Sequence, residues 1–334
     1  MGRKTIVALG LVCLLGTVGL AIEEETSDGR IWFGLGGSTL GAGEHSLSVT
    51  VGVGESGSGR RRSSGRTVAT TGGGDVERNP IIDGMLRRKS IRQFSDEEPT
   101  REVIEAVVRA GQRAPFAAQL GSLLLKRDRE ANPFGAPLLF TVCVDVHRME
   151  RVMEVRRWRR VMCDLATLLL GIQDAAYMAQ NMVQAAESLG MGSCYLGAAP
   201  YYAARIVEEY ALPPRVFPLV QLAMGYPAED PPVRPRYPLE FSLFEDRYPE
   251  LDEAAVERAM AVMDDGYLAQ DYYRSRNAKI PLGEKREETF GYDDYSWTEH
   301  VSRKLGQWSE DPAELLRAFE SCGFRLGEAI QDAG

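Results

Sequence analysis

Residues 164–189, DLATLLLGIQDAAYMAQNMVQAAESL, carry apolar or small side chains at Leu165, Leu168, Ile172, Ala175, Ala176, Ala179, Met182, Val183, Ala186 and Leu189. These positions cover more than one face of a helix of 3.6 residues per turn, and Gly190 follows as a C-cap. A helix so long and so nearly apolar all round does not lie on a surface. It runs inside a domain, or it has one face in its own core and the other against a second subunit. Short apolar runs flank it: 122–125 and 138–144 before, 193–196 and 217–224 after. The run 138–144 is almost continuously apolar, as a strand buried on both faces requires. Further upstream, Ile81, Ile82, Met85 and Leu86 have amphipathic helical spacing, and Thr100 is placed to cap a helix whose stripe is Val103, Ile104, Val107 and Val108. A short helix over 201–210 separates the last two strands. The order lacks a strict strand–helix–strand rhythm, so the expected fold class is α+β: a central, mostly antiparallel sheet flanked by helices, with the long helix buried at an interface.

This globular part, residues 76–334, differs sharply in composition from what precedes it. Residues 1–75 hold 18 of the 34 Gly, none of the 17 Pro and two aromatic residues, Trp32 and Phe33. Basic and acidic residues balance there, so the formal charge of −9, from 39 Lys and Arg against 48 Asp and Glu, belongs to 76–334. An acidic body argues against a nucleic-acid partner, which selects a basic footprint. Cys13, Cys143, Cys163, Cys194 and Cys322 form no C-x-x-C pair, and the histidines are His45, His147 and His300 alone. Neither a disulfide scaffold nor a zinc or His-rich metal site is indicated, and Cys194 reads as a small buried hydrophobe.

Residues 1–22 form a hydrophobic leader, in which Arg3 and Lys4 precede an uncharged run of 18 residues, 5–22. As a helix it is about 27 Å long, close to the ~30 Å of a bilayer core. A membrane anchor, a cleaved signal with Gly19 and Ala21 before the cut, and a misassigned start with the product beginning near Val76 all fit. Localisation is open in the same way, between cytoplasmic and membrane-associated or exported. Residues 23–75 read as a Gly/Ser-rich linker, with a period-2 stretch at 46–51 suited to one short strand or hairpin.

No G-x-G-x-x-G follows a strand, and no Walker motif or G-x-S-x-G elbow occurs. Two cationic clusters stand out instead: Arg87-Arg88-Lys89-Ser90-Ile91-Arg92 and Arg234-Pro235-Arg236. Guanidinium forks and a hydroxyl grip a phosphate monoester, and Pro235 stiffens the backbone between its two neighbours. By spacing alone, the same residues also read as solvated basic faces.

The chain from about 79 to 326 resembles the FMN-dependent nitroreductase family, in its branch of NADPH nitroreductases and NADPH-flavin oxidoreductases. The resemblance lies in RKSIRQFSDEEPTREVIEAVVRAG (88–111), LLLGIQDAAYMAQNMVQAAESLGMGSCYLGA (168–198), LAMGYPAEDPPVRPRYP (222–238), and DYYRSR (271–276) followed by YSWTEHVSRKL (295–305). It implies FMN, with Arg88, Lys89, Ser90 and Arg92 on the phosphate and ribityl chain and Arg234 and Arg236 on the same phosphate. It also implies that Tyr195, Leu196, Gly197 and Ala198 lay backbone amides along the isoalloxazine. Gln119 would belong to a flavin-side loop, and Arg276 would meet the phosphate of NADPH. The implied protein is a homodimer with flavin between the subunits, using NADPH or NADH and a small electron-poor acceptor: a nitroaromatic, a quinone or a flavin. No protein acid, base or nucleophile is required, because the cofactor carries the chemistry. A flavin-binding protein without turnover and a membrane-tethered, reductive dehalogenase-like member of the superfamily are the rival readings. The chain departs from the family pattern in three places. The loop 114–118 lacks Ser and Asn side chains, Ala198 stands where a second Gly is usual, and a Gln near the flavin pyrimidine has no counterpart. Tyr272, Tyr273 and Trp297 read either as an acceptor pocket or as core.

Overall fold

The computed structural model describes residues 21–26, 29–40, 44–54, 79–283, 286–308 and 311–327. The chain divides into two units, Met1–Asp75 and Val76–Gly334. In the first, strands β1 (Ala21–Thr26), β2 (Gly29–Leu40) and β3 (Glu44–Gly54) form an antiparallel sheet in sequence order. Composition alone makes a linker of this stretch. The register sets Ile31 opposite Val53, Phe33 opposite Val51 and Leu35 opposite Val49. Residues 46–51 lie within β3. Most of the apolar leader, 1–20, lies outside the described residues, and Ala21 and Ile22 open β1. Among the described residues no helix is long and apolar enough to cross a membrane.

The second unit is built on a four-stranded antiparallel sheet. Its strands are β4 (Gly121–Lys126), β5 (Leu138–Asp145), β6 (Gly192–Leu196) and β7 (Val216–Gly225), in spatial order β4-β5-β7-β6. All eight residues of β5 are buried, so its continuous apolar run has the physical cause expected of a strand covered on both faces. Against one face pack α2 (Arg101–Gly111), capped by Thr100, and the long α4 (Asp164–Ser188). Leu138, Phe140, Val142 and Val144 of β5 meet Ile104 and Val107 of α2 and Ala175, Ala179, Met182 and Val183 of α4 in one core. On the opposite face Leu139, Ala223 and Cys194 form a smaller cluster with Ala136. Helix α4 crosses β5 at Gly171, where a Cβ would lie 2.4 Å from Val144 Cγ1; only glycine lets the backbones approach so closely. Gly190, at φ +78°, ends the helix, and Met191 N donates to Ala186 O at 2.9 Å in the manner of a Schellman turn.

The remaining helices are α1 (Pro80–Arg87), α3 (His147–Val155), α5 (Ala203–Tyr210), α6 (Glu253–Ala269), α7 (Tyr272–Ser275), α8 (Trp297–Gln307) and α9 (Pro312–Ser321). Asn79 caps α1, accepting from Ile81 N and Ile82 N at 3.1 Å each. The amphipathic helix expected there forms, yet Ile81, Met85 and Leu86 are exposed in the single chain. The same holds for one side of α4. Leu168, Ala175, Ala179 and Ala186 are buried, whereas Leu165, Leu169 and Tyr177 are exposed.

A buried ionic knot ties the start of α4 to two distant segments. Asp164 accepts from Arg160 Nη2 at 2.6 Å, from Arg215 at 2.6 and 2.9 Å, and from the Arg325 amide at 2.6 Å. Glu150 completes it, 2.9 Å from Arg160 Nε and 3.3 Å from Arg215 Nε. Burial pushes the Asp164 carboxyl up, but the hydrogen bonds from Arg215, Arg325 and Arg160 outweigh burial and hold it at about 2.

Candidate functional site

Between α1 and the sheet, residues 88–94 run alongside β6. Ile91 N donates to Ser193 O at 2.9 Å, and Ser90 bridges Ser193 in parallel register. Ile91 is buried against Gly192, where a Cβ would lie 2.4 Å from Ile91 Cγ1. The alternation of an extended segment then puts Ser90 and Arg92 on the other side. The second cationic segment is held from α6. Pro235 packs on Gly266, whose missing side chain gives it room: a Cβ there would lie 2.4 Å from Pro235 Cγ. Gln270 bridges this segment, accepting from Arg234 Nη1 and donating to Val233 O at 2.9 Å. Arg236 turns its Nη1 to the carbonyls of Arg234 and Pro235, at 3.1 and 2.8 Å.

The two segments meet. Arg88, Lys89, Ser90, Arg92, Arg234 and Arg236 all line one cavity of about 210 Å³, together with Tyr267 and Tyr272, and among the described residues no carboxylate lines it. Burial lowers the Arg234 pKa, and the nearby cations of Arg276 and Arg92 add to the lowering while Tyr272 and Tyr267 oppose it. A wall of guanidinium, ammonium and hydroxyl donors suits a phosphate monoester.

The family model described as the nitroreductase family matches residues 85–127 and 124–226. An oxygen-insensitive NADPH nitroreductase of Salmonella typhimurium is 32% identical over 243 residues, covering 68% of this chain and 91% of that protein. The chain belongs to the nitroreductase family. An FMN reductase (NADPH) of Bacillus subtilis is 28% identical over 228 residues, 64% of this chain and 88% of its own length. Among solved structures, the NfrA1 nitroreductase of B. subtilis superposes with a TM-score of 0.60 at 27% identity, over 73% of this chain and 98% of that one.

In this member of the family, Arg276 lies beside the cationic cavity. Its guanidinium sits 4.5 Å from the Tyr272 ring centroid, and Arg234 sits 4.2 Å from the same centroid. Tyr272 thus carries two cations on one ring, while Tyr273, Tyr295 and Trp297 belong to an aromatic core cluster with Tyr267 and Met263. At the end of β6, Tyr195 Oη donates to Gln180 Oε1 of α4 at 3.3 Å. Burial pushes the Tyr195 phenol up to about 12, partly offset by the Arg88 cation, which places this strand end beside the cationic segment. Leu196 closes the strand, nothing lies within 4 Å of where a Gly197 side chain would project, and Ala198 is exposed as the turn begins. The Ala198 methyl therefore borders open space. Cys194 is buried, and burial raises its thiol pKa, which agrees with a packing role. Among the described residues no group of His, Cys, Asp and Glu is placed to hold a metal.

Tyr195, Leu196, Gly197, Ala198, Arg276 and Gln119 are expected site residues outside the cavity lining, and Gln119 lies toward the opposite edge of the sheet. Its loop leads into β4, one edge of the sheet, whereas the cavity adjoins β6, the other edge. Gln119 takes a left-handed φ of 51°, and its carbonyl accepts from Arg148 Nη2 at 3.1 Å. The residue that shapes this loop is one the sequence reading passes over. Asp174 is buried within α4, and its carboxylate accepts from Ala117 N, Ala118 N and Leu120 N at 2.6, 3.0 and 2.9 Å. The signal was present: an acidic residue on the inward face of an apolar helix must find donors, and here they are backbone amides.

Proposed function

We propose that the protein is an FMN-dependent NAD(P)H oxidoreductase that passes hydride from a nicotinamide to an electron-poor acceptor, a nitroaromatic, a quinone or a flavin. The convergence of the two cationic segments, far apart in sequence, on one cavity free of carboxylates carries this reading. Membership of the nitroreductase family and the names of relatives such as FMN reductase (NADPH) support it. Bound FMN supplies the hydride chemistry through its N5. The chain's own part is positional. Arg88, Lys89, Ser90, Arg92, Arg234 and Arg236 hold the phosphate, and the backbone of Tyr195, Leu196, Gly197 and Ala198 borders the ring. Arg276, fixed on the Tyr272 face beside the cavity, takes a phosphate of the nicotinamide nucleotide. A binder without turnover has no use for that second cation, which is why the catalytic reading is preferred.

Two further observations support a homodimer in which the site draws on both copies. The Gln119 loop stands at the sheet edge opposite the cavity, and the exposed face of α4 at Leu165, Leu169 and Tyr177 is apolar and uncovered in one chain. A second copy that covers this face brings its Gln119 loop to the flavin of the first.

The purified protein is expected to be yellow, to release FMN on heating, and to bleach anaerobically with NADPH or NADH. Chromatography that finds FAD, or no flavin, refutes the cofactor assignment. Bleaching with neither nucleotide refutes turnover while leaving the cavity assignment standing. Sedimentation of a monomer at micromolar concentration refutes the shared site.

A further inference from the structure

The cavity has five cationic residues, and they do not have equal freedom. Arg88, Arg92, Arg234 and Arg236 have no carboxylate within ion-pair distance among the described residues, whereas the Lys89 ammonium is paired with Asp230. The pair is built by the chain immediately before it. Glu229 accepts from the amides of Arg92 and Gln93, the second at 3.1 Å, and Ala228 N donates to Gln93 O at 2.9 Å. These bonds clamp residues 228–230 onto the segment 89–93 and deliver Asp230 to Lys89. Glu229 and Asp230 face a neighbouring groove that also has Arg88 and Lys89 in its wall, while the cavity itself contains neither carboxylate. Lys89 therefore stands in the wall between a groove that contains Glu229 and Asp230 and a cationic cavity that contains neither. An ammonium on a flexible stem can serve only one of the two fully at a time.

We propose that Asp230 is an affinity-determining residue: it competes with the flavin phosphate for Lys89 and so keeps FMN binding weaker than the cation count of the cavity allows. The inference rests on the reading of the cavity as the FMN phosphate site. It assigns Asp230 no contact with substrate or cofactor; the residue acts through Lys89.

Equilibrium dialysis of the full chain against FMN, and separately against riboflavin, tests this, with bound flavin read by its fluorescence after release. Asp230→Asn is expected to tighten FMN by about threefold to fivefold, the scale of one exposed ion pair. Riboflavin, which has no phosphate, is expected to bind Asp230→Asn and the unaltered chain alike. In a Lys89→Ala background, Asp230→Asn is expected to add little, and in the unaltered background its gain is expected to shrink with added salt. If the unaltered chain binds FMN no better than riboflavin, the phosphate cavity itself is wrong. If it prefers FMN but Asp230→Asn leaves that preference unchanged or lowers it, the cavity stands and the role of Asp230 is overturned. An equal gain for FMN and riboflavin, or an undiminished gain without Lys89, overturns it as well.

Discussion

The chain gathers arginines in two places and treats them in opposite ways. At the start of α4, Arg160 and Arg215 are matched by Asp164 and Glu150, with the hydrogen bonds completed by the Arg325 amide. At the cavity, Arg88, Arg92, Arg234 and Arg236 have no carboxylate within ion-pair distance among the described residues, whereas Lys89 is paired with Asp230. A matched cluster is complete without a ligand and serves the fold; an unmatched one carries a repulsion that an anion relieves. The sign of the neighbours, and not the number of arginines, separates structure from function here.

That contrast can be broken from the structural side first. Asp164→Asn is expected to cost about 3 kcal/mol of stability, because it removes the more buried of the two carboxylates and leaves two part-buried guanidinium groups to share Glu150. Denaturant titration checks it, and flavin content per folded molecule is expected to stay the same. The same carboxyl gives an acid dependence. Its pKa is depressed to about 2 in the folded chain against an ordinary 3.8, so its contribution is complete above about pH 4 and is lost as pH falls through 2. The loss amounts to about 2 kcal/mol, and Asp164→Asn is expected to flatten that part of the stability curve. An acid limb identical in both proteins argues that the knot is neutral to folding.

From the functional side, Arg236→Ala is expected to weaken FMN binding by about 2 kcal/mol, roughly thirtyfold, through loss of one charge-assisted contact. Stability of the flavin-free protein is expected to hold or rise, since a cation leaves a crowded cluster. A matching fall in stability would place Arg236 with the knot and not with the cavity. A smaller effect is expected at Tyr272→Leu, which removes the ring under both Arg234 and Arg276. The loss is about 1 kcal/mol, seen as a raised KM for NADPH with FMN content nearly retained. Loss of flavin with unchanged KM would show that the ring serves Arg234 alone.

The smallest effect is expected on removing residues 1–75. If the acidic unit folds by itself, the remaining chain is soluble, yellow and close to full activity. Aggregation or loss of flavin would show that the strands within 21–54 contribute to the nitroreductase unit. Fractionation of the full chain tests the leader separately: recovery in the membrane supports an anchor, a shortened chain outside it supports a signal, and a soluble cytoplasmic product beginning near Val76 supports a misassigned start.

The site and its scaffold were legible to different depths. The long helix, the doubly covered strand β5 and the caps at Thr100 and Gly190 follow from periodicity and backbone preference, which act over a few residues. The six residues of the cavity were legible through the resemblance of their two short runs to the family's motifs, since by spacing alone they also read as solvated basic faces. Their convergence was not. It depends on β6 pairing with β7 at one edge of the sheet and on α6 receiving Pro235 at Gly266, contacts between segments far apart in the chain. Asp174 was missed because a helix pattern counts an inward carboxylate as an exception, and the amides that satisfy it lie 54 to 57 residues away. Of the strands within residues 21–54, the alternation at 46–51 was legible and lies within β3, while the glycine content of the stretch hid the other two.

By itself, then, the sequence determined the identity of the charged groups, the helix that spans the core and the α+β class, because local periodicity and side-chain chemistry need no partner to be read. Only the tertiary structure decided which arginines find carboxylates and which do not, and that Lys89 is claimed by Asp230. It also decided that Gln119 stands across the sheet from the cavity. The physical reason is the same in each case: charge pairing acts through space, over a few ångströms, between residues whose separation along the chain carries no information about their distance.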